Sequence, residues 1–128
     1  MKVVLDTSVL IAQQPLPPRI DAAISAISLT ELYFGVLTAT DPDTRAYRMA
    51  HLGRVETGFD TLPLDEKVAR ALGQLQAAVS NRGGKHRRRT ADLAIAATAL
   101  VHEAVLFTRN YKDFKIIDDL VEVRKPPA

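Results

Sequence analysis

A chain of 128 residues with 47% hydrophobic content is the size of one ordinary domain and carries enough apolar surface for a core. Charged residues at 25% match the globular average, which argues against wholesale disorder, and a formal net charge of +2 is too small to mark a nucleic-acid binder. With no cysteine, disulfides, zinc thiolates and thiol nucleophiles are excluded, and His51, His86 and His102 lack metal-ligand spacing.

In chain order, Lys2 to Leu5 is a short unbroken apolar run, the pattern of a strand buried on both faces. It is too short for a signal peptide, and no run approaches the ~20 apolar residues of a membrane span, so a soluble cytoplasmic protein with no membrane partner is expected. Pro15 to Pro18 reads as a loop and Ser25 to Ser28 as a short strand candidate. Ser28-Leu29-Thr30-Glu31 opens a helix predicted to end near Leu37. After Asp41-Pro42 a helix is predicted over 43–56, then a strand candidate at Phe59 to Leu62. Asp65 to Asn81 carries Val68, Leu72, Leu75 and Val79 at helical spacing. Arg82-Gly83-Gly84 reads as a loop, followed by the basic run Lys85 to Arg89. The helix predicted from Thr90 to Glu103 is apolar nearly all round, as a buried helix should be. Ala104 to Phe107 repeats the buried-strand pattern, Leu120 to Val123 does so weakly, and Pro126-Pro127 marks a frayed end. Strands alternating with helices predict an α/β domain with a mainly parallel sheet over residues 1–124, and a short tail at 125–128.

The acids fall at telling places. Asp6 directly follows the first strand, at the edge where parallel sheets bind ligands. Glu31 and Asp92 sit near helix starts, and Thr108-Arg109-Asn110, with Asp113 beyond, follows the strand at 104–107. Three carboxylates about 5 Å apart would repel by roughly 10 kcal/mol in total at an effective dielectric near 20. Such a cluster calls for a cation or for protons, and oxygen donors without His or Cys favour magnesium, with manganese as substitute. Each acid also has a purely structural explanation: Ser28-x-x-Glu31 fits a capping box, Asp92 suits a helix N-terminus, and Asp6 is placed to cap the next helix.

Taken together the segments resemble a known family. Val4-Leu5-Asp6-Thr7-Ser8-Val9-Leu10-Ile11 resembles the opening motif of PIN domains, and Ile27-Ser28-Leu29-Thr30-Glu31-Leu32 with Gly35 resembles the second. Thr90-Ala91-Asp92-Leu93-Ala94-Ile95 is similar to the third, and Leu106-Phe107-Thr108-Arg109-Asn110-Tyr111-Lys112-Asp113-Phe114 to the closing motif. The short length points to VapC-type toxins of bacterial toxin–antitoxin pairs. The resemblance implies a three-layer α/β/α fold and magnesium-dependent cleavage of RNA by a metal-activated water. It implies Asp6 and Asp92 as metal ligands, Glu31 completing the acidic pocket or orienting the water, and Thr7, Ser8 and Thr108 supporting them. Many members carry an acid where this chain has Asn110; either Asn110 or Asp113 takes that place. The missing acid leaves open an alternative, a non-catalytic PIN-like module that binds RNA or a partner.

The resemblance also implies a VapB-type antitoxin, a toxin–antitoxin hetero-oligomer and a homodimer formed through the helices near 29–56, where Leu32, Tyr33, Phe34, Val36 and Leu37 exceed one core face. The run Lys85, His86, Arg87, Arg88, Arg89 reads either as a solvated loop or, beside an acidic metal site, as a flexible contact for RNA phosphates extended by Arg109, Lys112 and Lys115. A phosphatase or receiver domain using Asp6 as nucleophile wants a second acid where Thr7 and Ser8 stand, and no phosphate-binding glycine loop of an NTPase is present.

Overall fold

The computed structural model describes residues 1–127. β1 (Lys2–Leu5) is the middle strand of a five-stranded sheet in the order β3-β2-β1-β4-β5, with every neighbouring pair parallel. The other strands are β2 (Asp21–Ser25), β3 (Asp60–Leu62), β4 (Val105–Phe107) and β5 (Val123–Arg124). Parallel strands need crossovers, and the helices supply them: α1 (Thr7–Ala12), α2 (Ala26–Leu37), α3 (Pro42–Gly58), α4 (Glu66–Asn81) and α5 (Thr90–Val101). Tight 3-10 turns run over His86–Arg89 and Tyr111–Ile117.

The strand residues split between two cores, as a period of two requires. Val4, Leu106 and Val123 face Val68, Leu75, Val79 and the alanines of α5, together with Phe114 and Ile117. Val3, Leu5, Ile24 and Phe107 face Val9 and Leu10 of α1 and Val55 of α3. The sheet is therefore covered on both sides, and the expected α/β/α layering with a parallel sheet is borne out. α5 is buried from Leu93 through Ala99, and its alanines let the sheet and α4 approach closely.

Several boundaries move. β2 spans Asp21–Ser25 rather than 25–28, because its register with β1 (Lys2 opposite Asp21, Leu5 opposite Ile24) outweighs the poor strand propensity of Asp21-Ala22-Ala23. α2 therefore begins at Ala26, with Ser25 as N-cap accepting from the Ile27 N–H at 3.1 Å. The last strand is Val123–Arg124, while Leu120 is exposed and belongs to the turn closed by its N–H on the Ile117 carbonyl. Pro126 and Pro127 are half-buried, and the Pro127 carbonyl accepts from the Gln14 side chain, so the tail is anchored rather than frayed.

The basic run is equally fixed. α4 ends in a Schellman motif: Gly83 adopts φ +80, its N–H reaches the Ser80 carbonyl, and the Gly84 N–H reaches the Val79 carbonyl at 2.8 Å. A Cβ on Gly84 would stand 2.7 Å from Val79 Cγ1 and 2.8 Å from Ile116 Cδ1, so only glycine fits there. Arg82 donates to the Ile116 carbonyl and to both Asp119 oxygens. Lys85 to Arg89 is thus a tight turn packed against α4 and α5, with Arg89 reaching the Asp113 carbonyl, rather than an irregular loop.

Candidate active site

The chain adds β2 and β3 on one side of β1 and β4 and β5 on the other, so strand order reverses beside β1. Crevices at such a switch point, beyond the C-terminal strand ends, are where open α/β sheets bind ligands. Asp6 leaves β1 there, and its N–H extends the ladder onto the Phe107 carbonyl at 2.8 Å. Thr108 leaves β4 beside it, while α2 and α5 bring Glu31 and Asp92. Asp6, Thr7, Ser8, Glu31, Asp92, Arg109 and Asn110 wall one open groove of about 450 Å³, with Ile11 and Ala12 also in its lining. A roomier cavity, about 550 Å³, lies behind α1 against the proline loop and α3; Asp21 is its only acid, so it has no comparable chemistry.

Hydroxyls set the carboxylates. Ser8 Oγ donates to Asp6 Oδ2 at 2.7 Å and Thr108 Oγ1 donates to the same oxygen at 2.8 Å. Each hydroxyl has one proton, so the 3.5 Å approach of Ser8 to Thr108 is only a contact. Both also accept from the backbone, Ser8 from the Arg109 N–H at 3.1 Å and Thr108 from the Asn110 N–H at 3.0 Å. Asp6 is buried at 4% exposure, and among the described residues no donor occupies Oδ1. Asp6 holds the N-cap position of α1 but makes no capping bond, so its side chain is free for the groove.

Glu31 is not part of a capping box. With α2 starting at Ala26, Ser28 is inside the helix and fully buried, and Glu31 stands one turn further on than the spacing predicts. Thr7 Oγ1 donates to Glu31 Oε1 at 2.6 Å, and since its proton is used there, Ser28 Oγ is the donor in the 3.0 Å bond to Thr7. Ser28 is the member of this chain of hydroxyls that sequence reading gave a different role. Its signal was a serine one helical turn before the acid, on the face turned to the core.

The electrostatics agree with the geometry. Burial pushes the Asp92 carboxyl up to about 6, and the charges of Asp6, Asp113 and Glu31 push the same way, against Arg89. These four acids, from both ends of the chain, therefore share one field. Asn110 forms part of the groove wall, while Asp113 stands beside it in an adjoining hollow and acts on Asp92 through space.

The basic residues divide. Lys85, Arg88, Arg89 and Lys112, with Lys115, wall a separate hollow against Val79 and Ile116. Arg89 also donates to the Asp113 carbonyl, which ties it to the site. Arg109 belongs to the acid groove and donates to Gln14 at 3.1 Å. Arg87 is exposed and takes no part in the hollow.

A divalent cation suits this donor set in a particular way. Among the described residues no three Asp, Glu or His side chains converge closely enough to ligate one ion directly, so a tight three-acid cage is not what the fold provides. It offers an open Asp6 oxygen and an Asp92 carboxyl whose charge Arg89 only partly offsets, with Glu31 held by Thr7 in the same groove. Hard oxygens at this spacing fit a small ion that keeps several of its waters.

Comparison with known proteins places this geometry. The PIN domain pattern matches residues 3–120. The chain is 36% identical to Ribonuclease VapC5 of Mycobacterium tuberculosis, over 94% of this chain and 90% of that protein. It is 34% identical to Ribonuclease VapC1 of Rickettsia felis, over 94% and 93% respectively. A crystal structure of a VapBC-5 toxin–antitoxin system from Mycobacterium tuberculosis superposes with a TM-score of 0.83 at 36% identity, covering 99% of this chain and 98% of that one. FitAcB of Neisseria gonorrhoeae superposes at 0.77 with 28% identity, covering 97% of each chain.

Proposed function

The chain belongs to the PIN domain family, and on that premise we propose that it is a metal-dependent endoribonuclease acting in the cytoplasm as the toxin of a VapBC-type pair. The observation that carries the reading is the convergence of Asp6, Glu31 and Asp92, from three distant segments, on one groove at the switch point of the sheet.

Asp6 and Asp92 are the residues to hold magnesium or manganese, Glu31 acting through water. When bound, that ion supplies charge neutralisation at the phosphate and a more acidic water. The chain's own groups do the rest. Ser8 and Thr108 hold Asp6 Oδ2, which turns Oδ1 to the groove. Thr7 holds Glu31 Oε1, leaving Oε2 to orient the attacking water and accept its proton. The water oxygen bonds to phosphorus as the bond to the leaving ribose oxygen breaks in line, and that oxygen leaves with the bonding pair and takes a proton from solvent water. Asn110 offers an uncharged carbonyl oxygen at the wall, and Asp113 adds charge from behind it. Lys85, Arg87, Arg88, Arg89, Arg109 and Lys112 contribute phosphate contacts.

Partners follow from the same surface. The acidic groove fits a basic side chain of a VapB-type antitoxin, and the superposed VapBC-5 structure is of such a system. Tyr33, Phe34 and Leu37 on α2 and Tyr47 and Met49 on α3 are exposed, an apolar display larger than a monomer needs, and we assign it to a homodimer. Among the described residues no helix is long and apolar enough to cross a membrane.

The test is cleavage of mixed RNA with magnesium or manganese, with chelator and Asp6→Asn as controls. Loss of at least about 100-fold in the variant is expected. Cleavage that survives both chelator and Asp6→Asn sinks the assignment.

A further inference from the structure

Three hollows on this surface share walls. Arg109 and Asn110 belong both to the acid groove and to a second hollow that includes Tyr111, Lys112 and Lys115. Lys112 and Lys115 in turn belong to the third, with Lys85 and Arg88. The three form one path running from Asp92 over the turn Tyr111–Ile117 to the end of α4. Beyond the acid groove, its only acid among the described residues is Asp113.

We infer that this path is a one-sided track for the RNA strand, holding phosphates on a single side of the scissile bond. The inference rests on the ribonuclease reading and adds to it a direction and a length.

Three observations carry it. The cations are free: the ion pairs among the described residues are Arg70–Glu66, Arg82–Asp119 and Arg124–Glu122, and none involves Lys85, Arg88, Lys112 or Lys115. The floor is built: the Schellman motif, the close fit of Gly84 and the bonds from Arg82 hold the two turns in register, so the backbone needs little ordering on binding. The rest of the acid groove is different in kind. Ile11, Ala12 and Glu31 stand in its wall, and its one lining cation, Arg109, is already held by the Gln14 side chain, so the unbonded cations that adjoin the groove are those of the other two hollows. Tyr111 lies along the track, but its hydroxyl donates to Asp118 at 2.9 Å, which ties the ring down as packing rather than as a base platform.

The experiment uses oligoribonucleotides with one fixed cleavage site, lengthened stepwise at the 5′ or the 3′ end. In the wild type one series should gain about tenfold or more in kcat/KM and the other little, since each retained phosphate contact adds to affinity. The triple variant Lys85→Ala, Arg88→Ala, Lys115→Ala should lose that gain. Binding is read separately, without cleavage, in an Asp92→Asn background. There the triple variant should flatten the slope of log affinity against log salt by about 2, from about 0.7 per phosphate contact on a single strand. Equal gains at both ends, or an unaltered slope, overturn the track. So does binding of polyglutamate that needs these three cations while RNA does not, which would assign the path to an acidic protein segment. Failure of the wild type to cleave any RNA would refute the ribonuclease reading, whereas the salt slope in the Asp92→Asn background still reports on the track.

Discussion

Asp6 and Asp92 are held by opposite means. Asp6 is fixed by hydroxyl donors on one oxygen, which aims the other. Asp92 has no such donors and is left facing three like charges, with its carboxyl at about 6 against a usual 3.8. The proton-bound form is therefore favoured by folding. In metal-free protein this group contributes stability fully at pH below about 4, and the contribution is lost as pH rises through 6. Two pH units correspond to about 3 kcal/mol, which solvent around a half-exposed carboxyl reduces to about 1. A cation competes with that proton, so affinity for manganese should fall up to about tenfold per unit as pH drops below 6. Calorimetric titration from pH 5 to 8 measures this, and a flat profile would mean that Asp92 is not a ligand. Asp92→Asn should raise the melting temperature of the chelated protein by a few degrees at pH 7 and abolish the stabilisation by manganese.

Helix ends decide where these groups point. The serines at 25 and 28 are both plausible N-caps, and the spacing to Glu31 favours the second. The register of β2 against β1 selects the first, which carries Glu31 away from the backbone N–H groups of the first turn and toward Thr7. The end of α4 matters as much to the far side of the site. Gly84→Ala should cost about 1–3 kcal/mol, because Val79 is fully buried and cannot retreat from the new methyl. Thermal melting should show a fall of roughly 3–10 °C, and a melting point equal to wild type would mean the fit is looser than described. This separates what was legible in the chain from what was not. β1 with Asp6 and the all-apolar α5 with Asp92 could be read because burial on every side writes itself as unbroken hydrophobicity. Glu31 could be read as a pocket acid only through the family resemblance, because its spacing from Ser28 also fits a cap, and pairing with a distant strand decides between the two caps. The fixed shape of the turn that leads into Lys85 to Arg89 was hidden because the partners of Arg82, Ile116 and Asp119, lie more than thirty residues from it.

The assembly as a whole leaves one face of α2 and α3 uncovered. Phe34 is 67% and Leu37 63% exposed, values a stable monomer rarely tolerates side by side on one helix. If the homodimer uses them, Phe34→Glu with Leu37→Glu should convert dimer to monomer in sedimentation velocity while the far-ultraviolet dichroism stays that of the folded domain. A double variant that sediments like the wild type places the interface elsewhere.

β1 is synthesised long before β4, and the Asp6 carboxylate that follows it gains the Thr108 hydroxyl only after β4 has slotted in beside it, 102 positions later. Ser8 can reach Asp6 early, but it cannot by itself place α5 and the strand that follows. For a protein read as destroying RNA, the order of synthesis is then a safeguard written into topology. The nascent chain holds an incomplete site until α5 and β4 have been made and have packed beside β1.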